Sequence, residues 1–163
     1  MKLSFRIKHH FFSAFREFFV HHHGSLEFRA KIFALVIAAN EDVKVENYII
    51  VKNEAMKIYK GDKERADLLM LSTKELVKKV KDNNGLNIDS LITKIQKELK
   101  AIPRYAKKID IDSLKPLVGV SNDRDITSYQ ENILEFLEKL KEETLNSKKV
   151  QIEEDEKVLE LKH

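Results

Sequence analysis

Two short acidic stretches stand directly in front of long, apolar-patterned segments: Asn40-Glu41-Asp42-Val43 and Asp123-Arg124-Asp125-Ile126. Each ends in a β-branched apolar residue that can plug into a core. Carboxylates at such junctions accept hydrogen bonds from the free N–H groups of a helix start and complement its dipole. The other reactive side chains assemble into no recognisable chemistry. His21, His22 and His23 are consecutive, and helical neighbours point about 100° apart, so one metal cannot use all three. A site borrowing His9 or His10 has neither Cys nor well-spaced carboxylates to support it. They read as a polar helix end before the turn at Gly24. With no Cys in the chain, disulfides, thiolate metal sites and a cysteine nucleophile are all excluded. The serines lack a Gly-x-Ser-x-Gly setting, and Gly85 and Gly119 are isolated, so neither a nucleophile elbow nor a phosphate-cradling loop is present. Lys78, Lys79, Lys81, Lys107 and Lys108 are balanced by acids and have no aromatic ladder, so no nucleic-acid partner is expected. Without an acid/base pair or cofactor fingerprint, the chain is not expected to be an enzyme.

The elements that position these residues are helices. Four Gly and two Pro in 163 residues, with Lys, Glu, Leu and Ile dominant, is the composition of long helices joined by short turns. The expected fold is all-α, a single-domain bundle of about seven to eight helices with an amphipathic, Phe-rich N-terminal helix. A helix over residues 26–39 is apolar nearly all round from Ile32 to Ala39, which predicts a central position. A helix over residues 44–59 has Val45, Tyr48, Ile49, Val51, Ala55, Met56 and Ile58 for its inner face. Gly61 should end it and Asp62 should cap the next, which runs to Lys81 and carries Leu68, Leu69, Leu71, Leu76, Val77 and Val80. Asp89 is the expected cap of a further helix, and Pro103 breaks the pattern after it. Thr127 with Gln130 three residues on reads as a capping box, followed by Ile133, Phe136, Leu137 and Leu140 at helical spacing. Beyond Leu145 the chain turns polar and acidic and reads as a solvated tail. The organisation is then an amphipathic helix over 1–23, a helical domain over 26–145 and a charged tail over 146–163.

The two acidic junctions resemble those of the tellurite-resistance TerB-like family of all-helical domains. In that family an Ala-rich apolar helix leads through an Asp-Gly-Glu-Ile/Val-Ser type loop into a helix opening with Glu, often twice. Here the first copy reads Ala38-Ala39-Asn40-Glu41-Asp42-Val43-Lys44-Val45-Glu46 and the second Asp123-Arg124-Asp125-Ile126-Thr127-Ser128-Tyr129-Gln130. The likeness spans residues 26–145. It implies weak divalent-cation binding by Asp42, Glu46, Asp123 and Asp125, and a non-enzymatic interaction or sensing role in a bacterial stress response near the membrane. The sequence departs from the pattern at Asn40, which replaces the leading Asp, and at Glu41 and Arg124, which replace the Gly. Those changes remove easy access to positive φ and put a cation beside the second loop.

The N-terminal segment is the other distinctive feature. Phe5, Phe11, Phe12, Phe15, Phe18 and Phe19 merge on a helical wheel into one broad apolar face. Lys2, Arg6, Lys8 and Arg16 against Glu17 account for the whole net charge of +3. A basic helix with a wide aromatic face suits an anionic membrane surface, a protein partner, a second copy, or its own domain. Burying six phenylalanines at about 1.5–3 kcal/mol each is too large a gain for that face to stay in water. Arg6, Lys8, His9, His10 and Arg16 interrupt the apolar run a secretory signal would need, and no stretch of about 18 apolar residues exists to span a bilayer. The expected location is cytoplasmic, peripheral to the inner face of the membrane in the lipid-binding alternative.

Overall fold

In the computed structural model, which describes residues 24–161, every regular element among the described residues is helical. They are α1 (Gly24–Ala38), α2 (Val45–Ile58), α3 (Lys63–Lys81), α4 (Ile88–Ala101), a 3-10 segment (Pro103–Lys108), α5 (Ile111–Leu114), a second 3-10 turn (Lys115–Leu117) and α6 (Arg124–Leu161). The chain is an all-α bundle. The Phe-rich segment over residues 2–20 lies outside the described residues.

α1 is the axis of the bundle. Its residues from Ile32 to Ala38 are all buried, as a helix apolar on every side requires. α3, α4, α6 and the 3-10 segment surround it. α1 and α3 run side by side in one direction: Arg29 and Arg65 both stand 6.0 Å from the Tyr59 ring at one end, and Lys81 reaches Ala38 at the other. α2 runs back along α3, tied by Lys52–Asp67 at 3.0 Å and by Lys74 over the Tyr48 ring. α4 returns alongside α1, where Lys31 Nζ meets Glu98 Oε1 at 2.7 Å. Below that pair Tyr105 of the 3-10 segment packs on Phe28 with ring centroids 5.2 Å apart.

Several junctions follow local chemistry as expected. Gly61, at φ +86°, closes α2 by donating its N–H to the Met56 carbonyl, a conformation glycine adopts without a Cβ penalty. Asp62 then caps α3 by accepting from Arg65 N–H. Other junctions differ. The cap of α4 is Asn87, not Asp89, and it forms a reciprocal capping box with Ser90. In α2, Val45 and Ile49 are 74% and 55% exposed, while Asn47 takes a fully buried place and donates to the Lys44 carbonyl. Val51 and Ala55 define the buried line of that helix. At about 100° per residue Val45 and Ile49 fall well off it and Asn47 falls close to it.

α6 departs most from expectation. It starts at Arg124 rather than after Thr127, and Thr127 donates its hydroxyl to the Asp123 carbonyl inside the first turn. The polar stretch after Leu145, expected to be solvated, is largely exposed and continues the same helix to Leu161. At 38 residues α6 is about 57 Å long, twice the length of α3, and residues 149–161 are all exposed. No helix among the described residues is long and apolar enough to cross a membrane.

Candidate functional site

The polar groups around the two acidic junctions gather where α1 ends. A helix leaves its last four carbonyls without intrahelical donors, and here that end is buried. Asn40 N–H turns back to the Ile37 carbonyl at 3.0 Å, which leaves the Val36 carbonyl open. Gln130, fully buried in the second turn of α6, fills it by donating from Nε2 at 3.0 Å. Lys81, at the last turn of α3, donates its ammonium to the carbonyls of both Ala38 and Asn40. Burial of that ammonium lowers the Lys81 pKa, and the nearby Glu41 carboxylate opposes the shift. The α1 C-terminus is therefore capped in trans by two side chains from two other helices.

The junction carboxylates face outward around this end. The Asn40 side chain is buried and its Oδ1 accepts the Asp42 N–H at 3.2 Å, so the residue in the leading Asp position fixes the turn itself. Asp42 and Glu46 are exposed, and Glu46 lies in the first turn of α2. Asp123 Oδ1 accepts the Asp125 N–H at 2.9 Å, and both residues are exposed at the start of α6. Glu46 and Asp125 thus lie in the first turns of two helices and Asp123 caps the second, arrangements that complement the helix dipoles. Among the described residues no three His, Cys, Asp or Glu side chains approach closely enough to hold a metal together, so the four carboxylates do not converge.

The second surface of interest is apolar. Val150, Ile152, Val158, Leu159 and Leu161 are 47–87% exposed along the projecting end of α6. Beside the root of this projection an open groove of about 590 Å³ is lined by Leu99, Lys100 and Pro103 on one side and Leu140, Thr144 and Ile152 on the other. Sequence reasoning missed both this helix end and the capping roles of Lys81 and Gln130. The seven-residue recurrence of Leu145, Ile152 and Leu159 was the available signal for the first. The aromatic and basic positions expected to bind a membrane or partner, Phe5, Phe11, Phe12, Phe15, Phe18, Phe19, Lys2, Arg6 and Arg16, lie outside the described residues.

Comparison with protein-family models, with curated proteins and with solved structures finds no match.

Proposed function

We propose that this chain is a non-enzymatic helical interaction or sensing module of TerB-like type, acting in a bacterial stress-response setting. The observation that carries the reading is how its polar and apolar groups are distributed. The buried Gln130 amide and the Lys81 ammonium hold the α1 terminus in place, while large apolar side chains stand exposed on helix faces, a surface suited to macromolecular contact. Asp42, Glu46, Asp123 and Asp125 supply exposed carboxylate oxygens at two helix starts, and a weakly held divalent cation would use them in pairs with water completing its shell. Calorimetric titration with calcium, magnesium and zinc tests this branch. Heat that disappears in an Asp42→Asn/Asp123→Asn variant supports it, and no heat at millimolar ion removes it.

The alternative is a peripheral membrane protein anchored by residues 1–20. It is favoured by one specific feature, the location of the entire net positive charge in that segment together with six phenylalanines. Co-sedimentation with vesicles containing anionic lipid, with and without residues 1–20, separates the two. Binding lost on truncation, with the bundle still cooperatively folded, selects the membrane role.

A further inference from the structure

The projecting half of α6 carries a pattern that its own bundle covers only in part. Leu145, Ile152 and Leu159 recur every seven residues and so lie in one line along the helix. Leu145 is partly covered by the core, whereas Ile152 is 47% and Leu159 60% exposed. Lys148 and Asp155 border this line on one flank, and Lys149 and Glu156 border it on the other, by the 100° advance per residue. On each flank a base comes first and an acid follows seven residues later.

We propose that this face pairs with the same face of a second copy of the chain, antiparallel, about a two-fold axis through Ile152. The charges select the occupant and its direction. A two-fold axis across two antiparallel helices sets each flank against the same flank of the partner, reversed. Lys148 then faces the partner's Asp155, and Lys149 faces the partner's Glu156, each pair occurring twice. Leu145 meets the partner's Leu159, and the two copies of Ile152 meet on the axis. A parallel, in-register pairing would oppose lysine to lysine and carboxylate to carboxylate on both flanks. Asp155 accepts one intrahelical bond on Oδ1 from Gln151, which leaves its other oxygen for the partner's lysine.

The length of α6 leaves an exposed stretch for the arrangement. Because α6 outruns the other helices, an antiparallel partner places its own bundle beyond the far end of this one. The partner's Leu159 comes level with Leu145, and Ile152 and Lys148 of the same contact also line the open groove with Leu99, Pro103 and Leu140. The contact is short, about 25 Å of helix, which puts it at the small end of specific interfaces and makes the dimer concentration-dependent. The inference rests on the interaction-module reading and names its partner.

The absence of native cysteine makes the test direct. In the full chain, Ile152→Cys should form an intermolecular disulfide under mild oxidation, because only a residue on the axis meets its own copy. Leu145→Cys and Leu159→Cys should cross-link when mixed and poorly when alone. Val150→Cys, on the opposite side of the helix, is the control. Light scattering over a concentration series should show dimer for the native chain, and loss of dimer for Lys148→Glu/Lys149→Glu. Adding Asp155→Lys/Glu156→Lys to that variant should restore it, a rescue that misfolding would not produce. Cross-linking of Ile152→Cys no faster than Val150→Cys, or a dimer indifferent to the charge reversal, overturns the proposal. Metal heat and vesicle binding are read separately, so failure here does not decide the wider functional reading.

Discussion

Gln130 Nε2 donates to the Val36 carbonyl at 3.0 Å across 94 residues of chain, joining the second turn of α6 to the last turn of the central helix. Both groups are buried, and the Val36 carbonyl has no intrahelical donor because Asn40 N–H bonds to Ile37 instead. Replacing Gln130 by Leu would leave that acceptor unpaired, at a cost of about 1–3 kcal/mol. Gln130→Glu should be worse at neutral pH, where an ionised carboxylate would face a carbonyl with no proton to offer. Urea unfolding followed by circular dichroism should show lowered midpoints for both variants, with Gln130→Glu recovering partly as the pH falls and its carboxyl protonates.

Lys81 acts on the same helix end from the other side, but the residue as a whole is exposed and its bonds are only partly buried, unlike the fully buried Gln130 bond. Lys81→Met should therefore cost less than the Gln130 variants, about 0.5–1.5 kcal/mol. The double variant should fall below the sum or exceed it rather than simply add, because both side chains hold adjacent carbonyls of one terminus. A double-mutant cycle by urea denaturation measures that coupling, and strict additivity would mean that the two caps act independently.

Legibility in the sequence tracked how local the deciding interaction is. Gly61 and Asp62 end one helix and begin the next through bonds within five residues, and both could be read directly. The buried course of Ile32 to Ala38 followed from composition alone. Gln130 could not be read correctly, because a capping box and a core-facing amide look identical until the distant Val36 carbonyl is in place. Val45 and Ile49 were apolar enough for the inner face of α2, yet the phase of that helix is set by its packing on α3, which buries Asn47 instead. The acidic end of α6 is exposed, as its charge suggests, but its helical course to Leu161 is not legible in the sequence, because clustered carboxylates suggest disorder. Its Lys, Glu and Leu are also strong helix formers, and being anchored to a long packed helix removes the cost of nucleation. Of the candidate site, the acidic junctions were visible in the sequence, and their lack of convergence was not.

Gly24 opens α1 beneath the Tyr105 hydroxyl, and a Cβ there would lie 2.6 Å from that oxygen. Alanine normally gains about 1 kcal/mol over glycine inside a helix. Tyr105 is 7% exposed and held against Phe28, so it has little room to yield, and overpacking of this kind costs about 1–3 kcal/mol. Gly24→Ala should therefore destabilise the native chain. In a Tyr105→Phe background, which removes the clashing atom, the same substitution should be neutral or stabilising. Thermal melts of the four proteins decide it, and an unchanged effect in the two backgrounds would show that the hydroxyl is not the obstacle.

The opposite end of the bundle from the α1 terminus should respond to alkali through Tyr59. Its ring lies between Arg29 and Arg65, and burial raises its pKa while the two guanidinium groups work against the rise. Tyr48, under Lys74, is likewise raised by burial. A phenol whose pKa is higher in the folded chain than in the unfolded one keeps its proton preferentially in the fold. Its contribution to stability is complete below the unfolded value of 10.0 and is lost as the pH climbs through the folded value. Stability should thus decline above pH 10, in step with tyrosinate absorbance, and Tyr59→Phe should decline less steeply over that window. Tyr129, which is 43% exposed at the start of α6, serves as the internal comparison, because substituting it removes a phenol that the bundle does not bury. If Tyr129→Phe flattened the alkaline limb as much as Tyr59→Phe, burial at the α1–α3 start would not be the source of the pH dependence.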